Sequence, residues 1–176
     1  MRKVIYGGAC SLDGYFADRG GAVDWLYFSR DVEAIMRESW ASADTVLLGR
    51  KTWEWAASHQ GPDDPSMAHI KSYVFSRTLT SIPDQKAQLV TTDAGDFVRT
   101  LKAAPGKDII VMSGGNFATS LFKAGLIDEV GLNIHPLLLG AGPAAFGDAG
   151  ARINVELTEC RQLKGGCVFV RYAVKR

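Results

Sequence analysis

The chain lacks most of what would tie it to a membrane, a metal or a nucleic acid. Its 3 cysteines, Cys10, Cys160 and Cys167, are odd in number and show no C-x-x-C spacing. That excludes a disulfide framework and a zinc knuckle, and fits free thiols in a reducing compartment. No stretch approaches the roughly 20 apolar residues of a membrane span. The apolar opening Val4-Ile5-Tyr6 gives out at Gly7-Gly8, too soon for a signal-peptide core, so a soluble cytoplasmic protein is expected. Excess charge is missing as well: 20 Lys+Arg against 19 Asp+Glu leave a formal net charge of +1. This argues against nucleic-acid binding through a broad basic face, so any anion must meet a local cluster.

What the chain does have is an ordinary globular balance, 47% hydrophobic and 22% charged residues in 176. That length buries about 70% of the unfolded surface, and one domain over residues 1–176 is expected. Residues 4–10 read as a buried strand closed by the turn Ser11-Leu12-Asp13-Gly14. Val32, Ile35, Met36 and Trp40 then recur at helix spacing. Thr45-Val46-Leu47-Leu48 is a second strand, running into Gly49-Arg50-Lys51-Thr52 and a short helix with Trp53 and Trp55. Residues 59–69, holding Gly61-Pro62-Asp63-Asp64-Pro65, read as a surface loop. Strands at 72–76 and 88–91 precede a helix marked by Phe97, Val98, Leu101 and Lys102 and ended by Pro105-Gly106. Ile109-Ile110-Val111-Met112 is the most strongly apolar strand, and it enters Ser113-Gly114-Gly115-Asn116 and a helix carrying Phe117, Leu121 and Phe122. Val130, Leu132 and Ile134 alternate as a strand. Ile153, Val155 and Leu157 alternate as another, and Lys164-Gly165-Gly166 turns into Val168, Val170, Tyr172 and Val174. The order βαβαββαβαβββ predicts an α/β fold, a mostly parallel sheet with helices on both faces and a closing antiparallel hairpin.

Ligands of open α/β sheets bind beyond the carboxyl ends of the strands. Three such ends are unusual here. Gly49-Arg50-Lys51-Thr52 puts two cations where a helix starts, so N–H groups, dipole and side-chain charge would all favour an anion; the plain alternative is a Thr52 cap with solvated cations. Ser113-Gly114-Gly115-Asn116 lets a phosphate approach bare backbone, or is a tight turn. Ser76-Arg77-Thr78 offers a peripheral phosphate site, or a surface arginine. Three ends on one crevice suggest a ligand with several phosphates, such as a dinucleotide. Other chemistries are disfavoured: Ser113 is not in G-x-S-x-G, and neither G-x-x-x-x-G-K-[ST] nor a G-x-G-x-x-G after the first strand occurs. His59 and His69 with Asp63 and Asp64 read as solvated loop residues rather than metal ligands, and His135 as a satisfied strand-end histidine. Trp40 continues the helix stripe into the core; Trp25 either lines the pocket of a planar ligand or packs over a loop.

Leu48-Gly49-Arg50-Lys51-Thr52-Trp53-Glu54 resembles the cofactor-binding segment of dihydrofolate reductases, and Ser113-Gly114-Gly115 their later glycine pair. A closer resemblance is to the reductase domain of the bifunctional riboflavin-biosynthesis deaminase-reductase. It is carried by Ser11-Leu12-Asp13-Gly14-Tyr15-Phe16-Ala17, Val74-Phe75-Ser76-Arg77, Gly125-Leu126-Ile127-Asp128-Glu129-Val130 and Pro136-Leu137-Leu138-Leu139-Gly140. The zinc deaminase half has no counterpart, since neither H-x-E nor P-C-x-x-C occurs. The resemblance implies a dihydrofolate reductase-like three-layer fold that binds NADPH. Gly49, Arg50, Lys51 and Thr52 would meet the pyrophosphate and adenosine side, and Arg50 with Ser76 and Arg77 the 2′-phosphate. Gly114, Gly115, Asn116 and Phe117 would hold the pyrophosphate from the other side, and Ala9 and Phe16 would border the nicotinamide. Asp13 is the first candidate to relay a proton, with Glu33 or Asp31 on the first helix as the alternatives; Asp13 reads equally as a turn carboxylate, and Glu33 and Asp31 as solvated helix charges. Trp25 and Trp53 are candidate substrate contacts. The expected activity is NADPH-dependent reduction of a small heterocyclic or carbonyl substrate, most like 5-amino-6-(5-phosphoribosylamino)uracil reduction. A folate reductase and a non-catalytic nucleotide-binding domain remain as alternatives. A homodimer through the edge hairpin or the sheet is implied by the resemblance.

Overall fold

The computed structural model describes residues 1–59, 67–83 and 86–175. Its elements follow the expected order. They are β1 (Val4–Ser11), α1 (Arg30–Ser42), β2 (Ala43–Gly49), α2 (Arg50–Ser58), β3 (Lys71–Phe75), β4 (Ala87–Val90), α3 (Ala94–Ala103), β5 (Asp108–Met112), α4 (Gly115–Lys123), β6 (Glu129–His135), β7 (Val155–Gln162) and β8 (Val168–Val174). Among the described residues, no helix is long and apolar enough to cross a membrane. The loop expected at 59–69 lies mostly outside the described residues, and with it the pairing of Asp63 and Asp64 with the histidines. His59 itself stacks on Trp55 at 4.6 Å, and His69 reaches the Ala43 carbonyl at 3.2 Å. All three cysteines are free, and burial pushes the Cys10 thiol up to about 11.

The strands form one sheet in the order β4-β3-β2-β5-β1-β6-β8-β7. β1 to β6 pair in parallel wherever they meet, while β8 is antiparallel to both β6 and β7. After β2 the chain winds outward to β3 and β4; after β5 it crosses to β6 on the other side. The β2/β5 boundary is therefore the switch point, where connections leave in opposite directions and open a crevice.

The two faces of the sheet differ. One carries Val4, Tyr6 and Cys10 of β1 with Leu47, Val111, Val130 and Leu132, packed under Val98 of α3 and Leu121 of α4. The other carries Val46 and Ile110 with partly buried Leu48 and Met112, and Trp40 of α1 packs against them. This alternation along each strand is what layers a helix pair on either side. Ile153, Val155 and Leu157 alternate as a strand should, but β7 begins at Val155, and Val155 and Leu157 are exposed. As the outermost strand it has only β8 beside it. The hairpin turn is as expected, with Gly165 and Gly166 at φ 74° and 78°, where a side chain would be strained.

Candidate active site

Two helices begin at the switch point, and neither has a side-chain cap. α2 starts after Gly49 and α4 after Gly114, both glycines in extended conformation with no side-chain hydrogen bond. By contrast, Ser29 caps α1 through Val32 N–H and Asp93 caps α3 through Asp96 N–H. The first N–H groups of a helix have no intrahelical acceptor, so the uncapped pair aims unsatisfied donors and two positive dipole ends into the crevice. Thr52, the possible cap, instead sits in the first turn of α2. Gly49 ends β2 beside Ser113 at the end of β5: a Cβ on Gly49 would lie 2.4 Å from Ser113 Oγ. The small residue lets the two helix starts stand side by side.

A cavity of about 990 Å³ occupies this position. It brings together Gly49, Arg50, Lys51, Thr52, Ser76, Arg77 and the 113–117 turn, every expected phosphate-contacting residue. Arg50 pairs loosely with Glu54 at 3.8 Å. Arg77 is exposed, with no acidic partner among the described residues. Ser76 lines the cavity and also shapes the turn that carries Arg77: its Oγ accepts from Thr78 N–H at 3.2 Å and Leu79 N–H at 3.0 Å. Sequence reasoning missed Arg99, which lines the same cavity from α3 and pairs with Asp96 at 2.6 Å. Its placement depends on how α3 lies over the sheet, which no local motif encodes.

The two glycines of the 113–117 turn differ. Gly114 has open space where a Cβ would stand, whereas at Gly115 a Cβ would come within 2.9 Å of the Ala144 carbonyl oxygen. The Gly115 N–H already donates to that oxygen at 3.2 Å, which leaves Asn116 and Phe117 N–H toward the cavity. Gly114→Ala is accordingly expected to hold its thermal midpoint, its φ of −64° suiting any residue. Gly115→Ala is expected to lower it by several degrees, through crowding worth about 1–3 kcal/mol. Differential scanning fluorimetry of the two variants side by side checks this; equal midpoints would contradict the different surroundings assigned to them.

A second cavity of about 300 Å³ lies on the α1 face. Its wall is the α1 stripe Val32, Ile35, Met36 and Trp40, and its floor includes Gly7, Ala9 and Gly131. Consecutive residues divide between the two cavities: Ser113 lines the first and Met112 the second, and α2 gives Thr52 to one and Trp55 to the other. Ala9 thus borders the second cavity, but Phe16 does not join it. Phe16 packs on the opposite face of β1, edge-on to Tyr6 at 6.2 Å and over Gly8. Neither Trp25 nor Trp53 lines either cavity; Trp25 sits edge-on to His135 at 5.3 Å, and Trp55 is the α2 tryptophan that reaches the second cavity.

None of the carboxylates considered for proton transfer lines either cavity. Asp13 accepts from Ser11 Oγ at 2.6 Å, Leu139 N–H at 3.1 Å and Gly140 N–H at 2.7 Å, tying the 11–14 turn to the 137–140 loop. The Ser11 hydroxyl, helped by those amides, holds its pKa below the usual aspartate value, the wrong direction for a proton donor. Glu33 is exposed and lines neither cavity. Asp31 accepts from Ser29 Oγ and from Lys164 N–H at 2.8 Å, which joins α1 to the hairpin turn. The fold therefore removes all three as donors in contact with a ligand in either cavity.

Comparison with known proteins bears on this arrangement. The sequence matches the RibD C-terminal domain family over residues 2–169. The chain belongs to that family. Over 181 aligned residues it is 34% identical to the Bacillus subtilis (strain 168) protein YyaP, covering 98% of this chain and 95% of that one. A Shewanella sp. PV-4 protein named for riboflavin biosynthesis superposes with a TM-score of 0.87 at 26% identity, over 99% of both chains. The Thermotoga maritima diaminohydroxyphosphoribosylaminopyrimidine deaminase/5-amino-6-(5-phosphoribosylamino)uracil reductase superposes with a TM-score of 0.71 at 15% identity, over 99% of this chain and 57% of that one. The fold is the dihydrofolate reductase-like fold of RibD reductase domains, as the motifs predicted. Family membership carries a riboflavin-pathway reductase-like character with it.

Proposed function

We propose that the chain is an NADPH-dependent oxidoreductase acting on a small heterocyclic or carbonyl compound. The supporting observation is the pair of uncapped helix N-termini flanked by Arg50 and Arg77 on one cavity. The residues fit the cofactor. A dinucleotide diphosphate needs unpaired N–H donors and a backbone it can approach, and the α2 and α4 starts with the open side of Gly114 offer both. A 2′-phosphate needs available guanidinium groups; Arg77, without an acidic partner among the described residues, and the loosely held Arg50 suit it. When bound, the cofactor supplies the hydride. The protein's part is to bind it across the switch point and to hold the acceptor carbon in the adjoining cavity over the β1 floor. With Asp13 and Asp31 held in other contacts and Glu33 exposed away from both cavities, the proton that accompanies the hydride comes from solvent at the cavity mouth.

Calorimetric titration tests the reading. NADPH is expected to bind at one site with micromolar affinity that weakens with added salt, and NADH at least tenfold more weakly. Absence of binding by either would refute the oxidoreductase assignment. A homodimer is proposed through β7, whose exposed Val155 and Leu157 and open edge suit a second copy; Leu157→Lys is the variant expected to yield monomers in sedimentation analysis.

A further inference from the structure

Ser113 follows β5 and precedes Gly114, from which α4 starts. It is only 8% exposed, and its hydroxyl has no hydrogen-bond partner among the described residues. Every other buried polar or charged side chain described is engaged, from Arg2 on Asp44 to His135 on Asn133. A buried hydroxyl is rarely left without a partner in a native protein. Asn133 Oδ1 and Arg171 Nε also lack one, but both are sealed from solvent and reach no ligand. The Ser113 hydroxyl is not sealed, because Ser113 lines the large cavity.

Its surroundings indicate what it meets. Oγ lies against Gly49, the residue from which α2 starts, close to where a side chain on that glycine would stand. The same position is 3.8 Å from Phe117 Cβ in the first turn of α4. The hydroxyl therefore stands between the two uncapped helix starts, where an anion spanning them would pass. Two positive dipole ends attract the hydroxyl oxygen and turn its hydrogen outward, toward that anion. A donor is wanted there, since the Gly115 N–H is spent on the Ala144 carbonyl. No described histidine or carboxylate bonds the hydroxyl, so nothing activates it as a nucleophile. It is equipped to donate rather than to attack.

We propose that Ser113 Oγ–H donates to the diphosphate of the coenzyme between α2 and α4. The inference rests on the dinucleotide reading for its ligand, and it adds one side-chain donor to a cradle of main-chain N–H groups. It also explains why position 49 is bare: a side chain there would displace the hydroxyl. NADPH and NADH share the diphosphate, so Ser113 contributes affinity for both and leaves the choice between them to the arginines.

The test is calorimetric titration of the full wild-type chain, Ser113→Ala and Ser113→Cys with ADP, NADH, NADPH and 2′-AMP, beside thermal unfolding of each protein. One hydrogen bond to a charged group corresponds to about tenfold in affinity. Ser113→Ala is expected to weaken ADP, NADH and NADPH alike by that factor. 2′-AMP carries no diphosphate and is expected to change by no more than about twofold. Ser113→Cys keeps the volume but donates weakly, so it is expected to follow alanine. Both variants are expected to unfold within about 2 °C of wild type, since no protein partner is lost. A midpoint lowered by more, or a variant that does not fold, would make the hydroxyl structural and overturn the proposal. Unchanged ADP and NADH binding in Ser113→Ala, or an equal loss of 2′-AMP, would overturn it and leave the oxidoreductase reading standing. Ser113-dependent binding of ADP in a chain that binds neither coenzyme would do the reverse. A wild-type chain that binds none of the three diphosphates would overturn both.

Discussion

Replacing Arg50 and Arg77 together with alanine is expected to weaken NADPH binding roughly 100-fold or more while leaving NADH binding within a few-fold. Hydrogen bonds to a charged group are worth about 1.5–3 kcal/mol each, and about 1.4 kcal/mol is a tenfold change in affinity. Removing two such hydrogen bonds from one phosphate accounts for the effect. NADH lacks that phosphate, and its diphosphate still meets the N–H groups of α2 and α4, which the substitutions leave in place. The side chains are solvent-facing, and among the described residues they make one loose ion pair, Arg50 to Glu54 at 3.8 Å, so the fold is expected to persist. Titration of the double variant with both coenzymes checks the prediction. An equal loss for NADPH and NADH would move the 2′-phosphate away from these arginines.

Gly7→Ala is expected to be the most damaging small substitution in the sheet. A Cβ at Gly7 would lie 1.9 Å from the Gly131 carbonyl oxygen, an overlap with backbone that no rotamer change relieves. β1 is held between β5 and β6, its residues in register from Val4 against Ile109 to Ser11 against His135. Neither neighbour can shift without breaking that ladder. Overpacking of this kind costs about 3 kcal/mol, or roughly 6–12 °C in thermal midpoint for a chain of this size. Thermal unfolding of Gly7→Ala beside Gly114→Ala separates the two kinds of glycine; a Gly7→Ala midpoint equal to wild type would contradict the close β1–β6 approach.

These two predictions also mark what can be read along the chain. Arg50, Arg77 and the Gly114 turn each combine a strand end with a cation or a bare backbone, and the parallel topology collects strand ends on one edge. The first cavity is therefore legible in the sequence. The second is not. Its floor is defined by side chains that Gly7 and Gly131 lack, and its wall, Val32, Ile35, Met36 and Trp40, has the same spacing as a helix face buried in a core. Periodicity reports which residues share a face, not whether that face touches protein or a void. Gly131, set between Val130 and Leu132, is the available hint, since glycine inside a strand marks a close approach. Asp13 shows the other limit. Its partners Leu139 and Gly140 come from a loop 126 and 127 residues away, so a turn motif alone cannot distinguish a structural carboxylate from a proton donor. For β7, alternation correctly marks a strand, but the burial it implies requires a covering layer that an edge strand lacks.

Most depends on one dinucleotide lying across the β2/β5 switch point. A crystal structure of the chain grown with NADP+ measures this directly. The expected result is the diphosphate within hydrogen-bond distance of the first N–H groups of α2 and of Asn116 or Phe117 N–H on α4, the 2′-phosphate against Arg50 and Arg77, and the nicotinamide turned toward the Gly7–Ala9 floor. A coenzyme bound on the opposite face, or with its 2′-phosphate away from both arginines, would contradict it.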